Sequence, residues 1–128
     1  MNYVTDTHSL VWYFTEDPRL GTSALNAFES TINEGIIFIP AVVLAEIMYI
    51  AQRGRITISF EETVKRIEET ENFEVAPLSL DILKVADKID ADMEMHDKLI
   101  VAAAKYLEAV LITKDENISD LKIVLTVW

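Results

Sequence analysis

The chain has 128 residues, 51% of them hydrophobic, and 22 Asp and Glu against 11 Lys and Arg give it a net charge of −11. That length suits one domain spanning 1–128 with a real core, while the absence of cysteine excludes disulfides and thiolate metal sites. The longest apolar stretch, 36–50, is broken by Pro40 and Glu46 and is too short for a bilayer, and the N-terminus lacks a signal peptide's basic region, so a cytoplasmic protein is expected.

The chain opens on Tyr3-Val4-Thr5, a short β-prone run, followed by Asp6-Thr7-His8 and then by Leu10, Val11, Tyr13 and Phe14 at helical spacing. A strand that ends in Asp and turns at once into a helix puts that carboxylate at the strand's C-terminal edge, where ligands bind in open α/β sheets. The same Asp6 also suits a helix N-cap. Asp17-Pro18-Arg19-Leu20-Gly21 is a turn, and Thr22 or Ser23 caps a second helix running to about Glu34. Ile36 to Ile39, ended by Pro40, reads as a strand buried on both faces. A helix follows from about Val42 to Gln52, closed by Gly54.

Ser59 to Glu62 has capping-box spacing and opens a helix carrying Phe60, Val64 and Ile67. Phe73 to Ala76 is a strand stopped by Pro77, and Ser79 starts a helix with Ile82, Leu83, Ala86 and Ile89 on its apolar face. His96-Asp97 introduces a helix from Lys98 to Glu108. Val110 to Thr113 is a fourth strand, 116–120 a turn or short helix, and Lys122 to Val127 a fifth strand. This alternation predicts an α/β fold with a central, mostly parallel, about five-stranded sheet between layers of helices. Trp12, Tyr13 and Tyr49 fall on apolar helix faces and are assigned to the core.

Most of the carboxylates are solvated surface, including Glu61, Glu62, Glu68, Glu69 and Glu71, and the polar connection holding Asp87, Asp90, Asp92 and Glu94. Four stand in a different context. Asp6 closes the first strand, and Asp115 follows the fourth after a single Lys. Asp97 begins an apolar helix, where it could be an N-cap. Glu46 lies in Ala41-Val42-Val43-Leu44-Ala45-Glu46-Ile47-Met48-Tyr49, where lost solvation requires neutralisation, a hydrogen bond or a cation.

Parallel strands carry Asp6 and Asp115 to one rim of the sheet, and helices starting there bring Asp97 and Glu46 to the same place. Four converging carboxylates repel one another unless a hard divalent cation with oxygen ligands, Mg²⁺ or Mn²⁺, sits among them. Such a site polarises a phosphoryl oxygen and activates water. Two histidines are too few for zinc, three glycines exclude a dinucleotide or P-loop fingerprint, and there is no GxSxG elbow. Against the acidic balance, which repels RNA, the nearby cations are Lys98, Lys114, Arg53 and Arg55, read as steering residues. No base-reading module or aromatic platform is recognisable.

Val4 to Trp12, Asp17-Pro18-Arg19-Leu20, Ala45-Glu46, His96 to Ala104 and Leu111 to Asp115 together resemble the PIN-domain family, most closely its VapC-type toxins. The resemblance spans essentially the whole chain in the family's order. It implies a three-layer sandwich and an Mg²⁺- or Mn²⁺-dependent endoribonuclease, with Asp6, Glu46, Asp97 and Asp115 as the acidic quartet and Thr113 as a supporting hydroxyl. It also implies a homodimer and a silencing antitoxin, whose Arg the acidic pocket should accept. Two features depart from the pattern. The family commonly carries Asp-Pro-x-Asp-Arg where this chain has Glu94-Met95-His96-Asp97-Lys98, and Lys98 lacks the bidentate fork of Arg. Asp92 is placed outside the site. Two alternatives stay open: a non-catalytic PIN-like protein-binding module, and a small phosphatase or phosphoacceptor domain. The haloacid-type phosphatase would need a second Asp where Asp6-Thr7-His8 stands.

Overall fold

The computed structural model describes residues 1–128. Five short strands, β1 (Tyr3–Thr5), β2 (Ile37–Pro40), β3 (Phe73–Ala76), β4 (Val110–Ile112) and β5 (Thr126–Val127), form one sheet in the order β3-β2-β1-β4-β5. Every neighbouring pair is parallel, with Val4 level with Phe38 on one side and Leu111 on the other. Seven helices flank it: α1 (Thr7–Phe14), α2 (Thr22–Ser30), α3 (Ala41–Gln52), α4 (Phe60–Glu68), α5 (Leu80–Asp87), α6 (Met95–Tyr106) and α7 (Glu116–Leu121).

The core explains this arrangement. Val4, Ile37, Ile39, Leu111 and Ile112 of the three central strands are fully shielded, as are Leu10, Phe28, Val43, Ile47 and Val101 from the helices. Ala102, Ala103 and Ala104 on α6 are also buried, and their small side chains let the helix lie close to β1 and β4. Tyr13 stacks on Phe28 with ring centroids 4.2 Å apart, joining α1 to α2.

Strand order decides where a site can form. From β1 the chain crosses to β2 on one side, and from β4 it crosses to β5 on the other. The order reverses between β1 and β4, which opens a crevice beyond their carboxyl ends.

Four expectations from sequence need correction. β5 spans only Thr126–Val127 rather than 122–127, because Lys122 adopts a left-handed conformation (φ 54°) that ends α7. α2 stops at Ser30 and the chain turns before residue 34. α6 begins at Met95, so Asp97 lies inside its first turn and is not the cap. Tyr49 is 50% exposed, with the Arg53 guanidinium 3.4 Å above its ring, so it is not core. Its place on α3 matches the apolar period, but no neighbouring element covers that face.

Candidate active site

Asp6 follows the buried Thr5 directly, and its N–H donates to the Ile112 carbonyl at 3.2 Å, which ties it to the end of β4. Its carboxylate caps α1, accepting the Ser9 N–H at 2.9 Å. Burial pushes its pKa above the ordinary Asp value, against the pull of hydrogen bonds from Ser9 and Thr113. Asp115 likewise caps α7, accepting N–H groups from Asn117 at 2.9 Å and Ile118 at 3.2 Å. Asp6 and Asp115 therefore cap their helices and also reach the same rim of the sheet; the two readings do not compete.

Thr113 lies between them. It is buried, its hydroxyl oxygen accepts the Asp115 N–H at 3.1 Å, and its polar side chain helps to offset the effect of burial on Asp6. Asp97 enters from the first turn of α6, whose positive dipole end favours an anion. Its pKa is nevertheless raised, first by burial and then by the negative charges of Glu94, Asp115, Glu46 and Asp6. The other three acids of the quartet are thus all close enough to Asp97 to repel its charge.

An open cavity of about 540 Å³ lies at this rim, and Asp6, Asp97, Asp115, Ser9 and Thr113 line one part of it. Glu46 is not among the lining residues. It sits half-buried in the second turn of α3, where its carboxylate accepts a hydrogen bond from the buried Thr7 hydroxyl. Thr7 and Ser9 were not singled out from sequence, although their places one and three residues after the capping Asp6 carried the signal. Asp92 is exposed and does not line the cavity.

Of the expected steering cations, only Lys114 lines the cavity. Lys98 is half-buried on α6, and Arg53 and Arg55 stand exposed beyond the end of α3. Arg53 is about 10 Å further along the helix path than Glu46. Arg19, which the sequence placed in a turn rather than among the steering cations, does line the cavity, as do His8, Trp12 and Trp128. His96 pairs with Glu94 at 2.8 Å, and that bond raises its pKa. No three acidic or histidine side chains stand in an arrangement that would by itself hold a metal ion.

In chemical terms the rim offers hard oxygen donors, hydroxyl donors that hold them, and two cations beside them. Such a set can bind a phosphate-bearing ligand through a divalent cation. Comparison with known proteins agrees with this reading of the fold. The model of the PIN domain matches residues 3–124. A chain of the VapBC2 complex from Rickettsia felis, solved bound to a DNA fragment from its promoter, superposes with a TM-score of 0.75 at 18% identity, covering 99% of this chain and 98% of that one. DNA-bound VapBC from Salmonella typhimurium gives 0.72 at 15% identity, with 99% and 97% covered. VapC20 from Mycobacterium tuberculosis, a toxin that cleaves the sarcin–ricin loop, gives 0.66 at 16% identity, with 97% of each chain covered. Among curated proteins none matches significantly.

Proposed function

The chain belongs to the PIN-domain family, and on that premise we propose that it is a metal-dependent endoribonuclease, the toxin of a type II toxin–antitoxin pair. One observation carries the reading. Asp6, Asp97 and Asp115, from three distant segments, line one cavity at the strand-order reversal, where Asp97 also feels the charge of Glu46.

The donor set fits Mg²⁺ or Mn²⁺. It consists of carboxylates and hydroxyls, and the mutual repulsion on Asp97 is the kind of conflict a divalent cation relieves. Mg²⁺ keeps several waters and commonly binds through one or two carboxylates, so a closed cage of three is not required. One or two of Asp6, Asp97 and Asp115 would hold the ion through waters, with Glu46 contributing negative charge nearby. When bound, such an ion supplies Lewis-acid polarisation of a phosphoryl oxygen and an acidified water.

The remaining work belongs to the chain's own residues. Ser9 holds Asp6, Thr7 holds Glu46, and Thr113 fixes the backbone of Asp115. Lys114 and Arg19 stand where RNA phosphates approach, with Lys98 behind them on α6. The partners follow from the same reading. An antitoxin would place an Arg among these carboxylates as a charge-assisted pair, and the toxin itself would be a homodimer. Two of the three structural relatives named above come from VapBC complexes, which supports the antitoxin.

The test is cleavage of single-stranded RNA by purified protein in EDTA, then with Mg²⁺ or Mn²⁺ restored. Activity should appear only with the metal. Undiminished cleavage in EDTA would overturn the metal-nuclease reading. Inactivity in every metal would favour a non-catalytic PIN module.

A further inference from the structure

The cavity has a second wall that the acidic chemistry does not use. Trp12 and Trp128 meet edge to face at 65° with centroids 5.9 Å apart, and His8 lies 5.7 Å from Trp12. Arg19 stands 4.7 Å over the Trp12 ring and Lys114 stands 5.8 Å from it. All five side chains line the cavity that holds Asp6, Asp97 and Asp115. The protein has only two tryptophans, and both are here.

This wall is built with some precision. Arg19 is held by Asp17, donating from Nε at 3.0 Å and from Nη2 at 2.7 Å to the two carboxylate oxygens. The Asp17-Pro18-Arg19 turn thereby sets the guanidinium over Trp12. Trp128 is delivered by strand register: Val127 is level with Ile112, and its carbonyl accepts the Thr113 N–H at 3.2 Å. Its ring then settles against Gly21, where a Cβ would come within 2.8 Å of ring atoms. That seat requires glycine. No cation stands over Trp128, whose half-buried side chain lines the cavity, whereas Trp12 is already engaged by Arg19.

We propose that Trp128, backed by Trp12 and Arg19, is a stacking site for one unpaired nucleobase next to the scissile phosphate, so that the substrate is RNA with a base free to leave its stack. This inference rests on the nuclease reading above and names its substrate class. Single-stranded RNA is recognised by stacking splayed bases on aromatic rings and Arg planes. Stacking also answers the problem set by a net charge of −11. A protein so acidic gains little from phosphate contacts, whereas stacking depends weakly on salt. Lys114 and Arg19 would take the phosphates flanking the stacked base.

The experiment uses the full wild-type chain in Mg²⁺, read before cleavage proceeds. Two single-stranded oligoribonucleotides serve as probes, identical except that one has a single abasic position scanned along its length. Binding is read by tryptophan fluorescence and by anisotropy of a labelled end. The intact oligonucleotide should quench the tryptophans, and one abasic position should abolish that quenching and weaken binding on the order of tenfold, the effect of losing one base–aromatic stack. Trp128→Leu should bind intact and abasic RNA alike, whereas Trp128→Phe should keep the preference; comparison of the two separates loss of the ring from loss of packing against Gly21. RNA that binds without quenching, or a Leu variant that keeps the abasic penalty, would overturn the stacking site while leaving the nuclease reading intact. If the wild-type chain cleaves no RNA in any metal, the nuclease reading fails instead.

Discussion

At the scale of single residues, the site's acids are held against their own repulsion. Asp6→Asn and Asp97→Asn should each reduce cleavage of single-stranded RNA by at least about a hundredfold, the scale of losing one electrostatic group at a reacting centre. Asn still caps α1, so loss of fold would not be the cause. Asp92→Asn, on an exposed residue away from the cavity, should keep most of the activity. The raised pKa of Asp97 makes a second prediction. Burial and four neighbouring acids make the folded state hold its proton more tightly than the unfolded chain does. Stability therefore falls as pH rises from 3.8 through the raised folded value. In EDTA at pH 7, Asp97→Asn should melt a few degrees above the wild type, and the gap should close below pH 3.8, where Asp97 is neutral in both states. A variant that melts lower than wild type at pH 7 would count against this account.

At the scale of elements, the caps carry much of the site. Asp6 and Asp115 sit where a strand gives way to a helix, and that junction fixes both the backbone and the carboxylate. An unfavourable junction is the end of α7, where Lys122, like Glu16 after α1 and Glu108 after α6, takes a left-handed conformation better suited to glycine. Lys122→Gly should stabilise the protein by about 0.5–1 kcal/mol in urea unfolding, since the strain of a Cβ there outweighs the added freedom of the unfolded chain. Ser59 tests the reverse case. Its hydroxyl accepts the Glu62 N–H at 3.0 Å at the start of α4, and Ser59→Ala should cost about 1 kcal/mol by the same measurement. Neither substitution touches the cavity, so RNA cleavage should be unchanged.

At the scale of the whole molecule, charge and function are in tension. With a net charge of −11, the metal-free rim should repel RNA, and a divalent cation should be needed for binding as well as for chemistry. Anisotropy with the wild-type protein and a labelled oligoribonucleotide, in EDTA and then in Mg²⁺ before cleavage proceeds, should show binding only with the cation. Lys98→Ala should weaken that binding severalfold without altering the metal concentration needed. Tight binding in EDTA would show that the steering residues suffice without a metal.

The sequence alone determined the element order, the parallel α/β class and the four acids worth attention, because these depend on local signals: β-prone runs, capping residues, apolar period and a carboxylate out of place on α3. Strand register and helix packing decided the rest. Lys122 reads as part of a strand until α7 needs a left-handed residue to end it. Tyr49 fits an apolar period, yet burial depends on whether another element arrives to cover it, and none does. Arg53 and Arg55 follow Glu46 closely in the chain, but helix rise carries them away, while Arg19 returns to the cavity through a turn. Trp12 and Trp128 are 116 residues apart in sequence and in contact in space. Only the pairing of β5 with β4 brings them together, and the open space at Gly21 is what lets the second ring sit there.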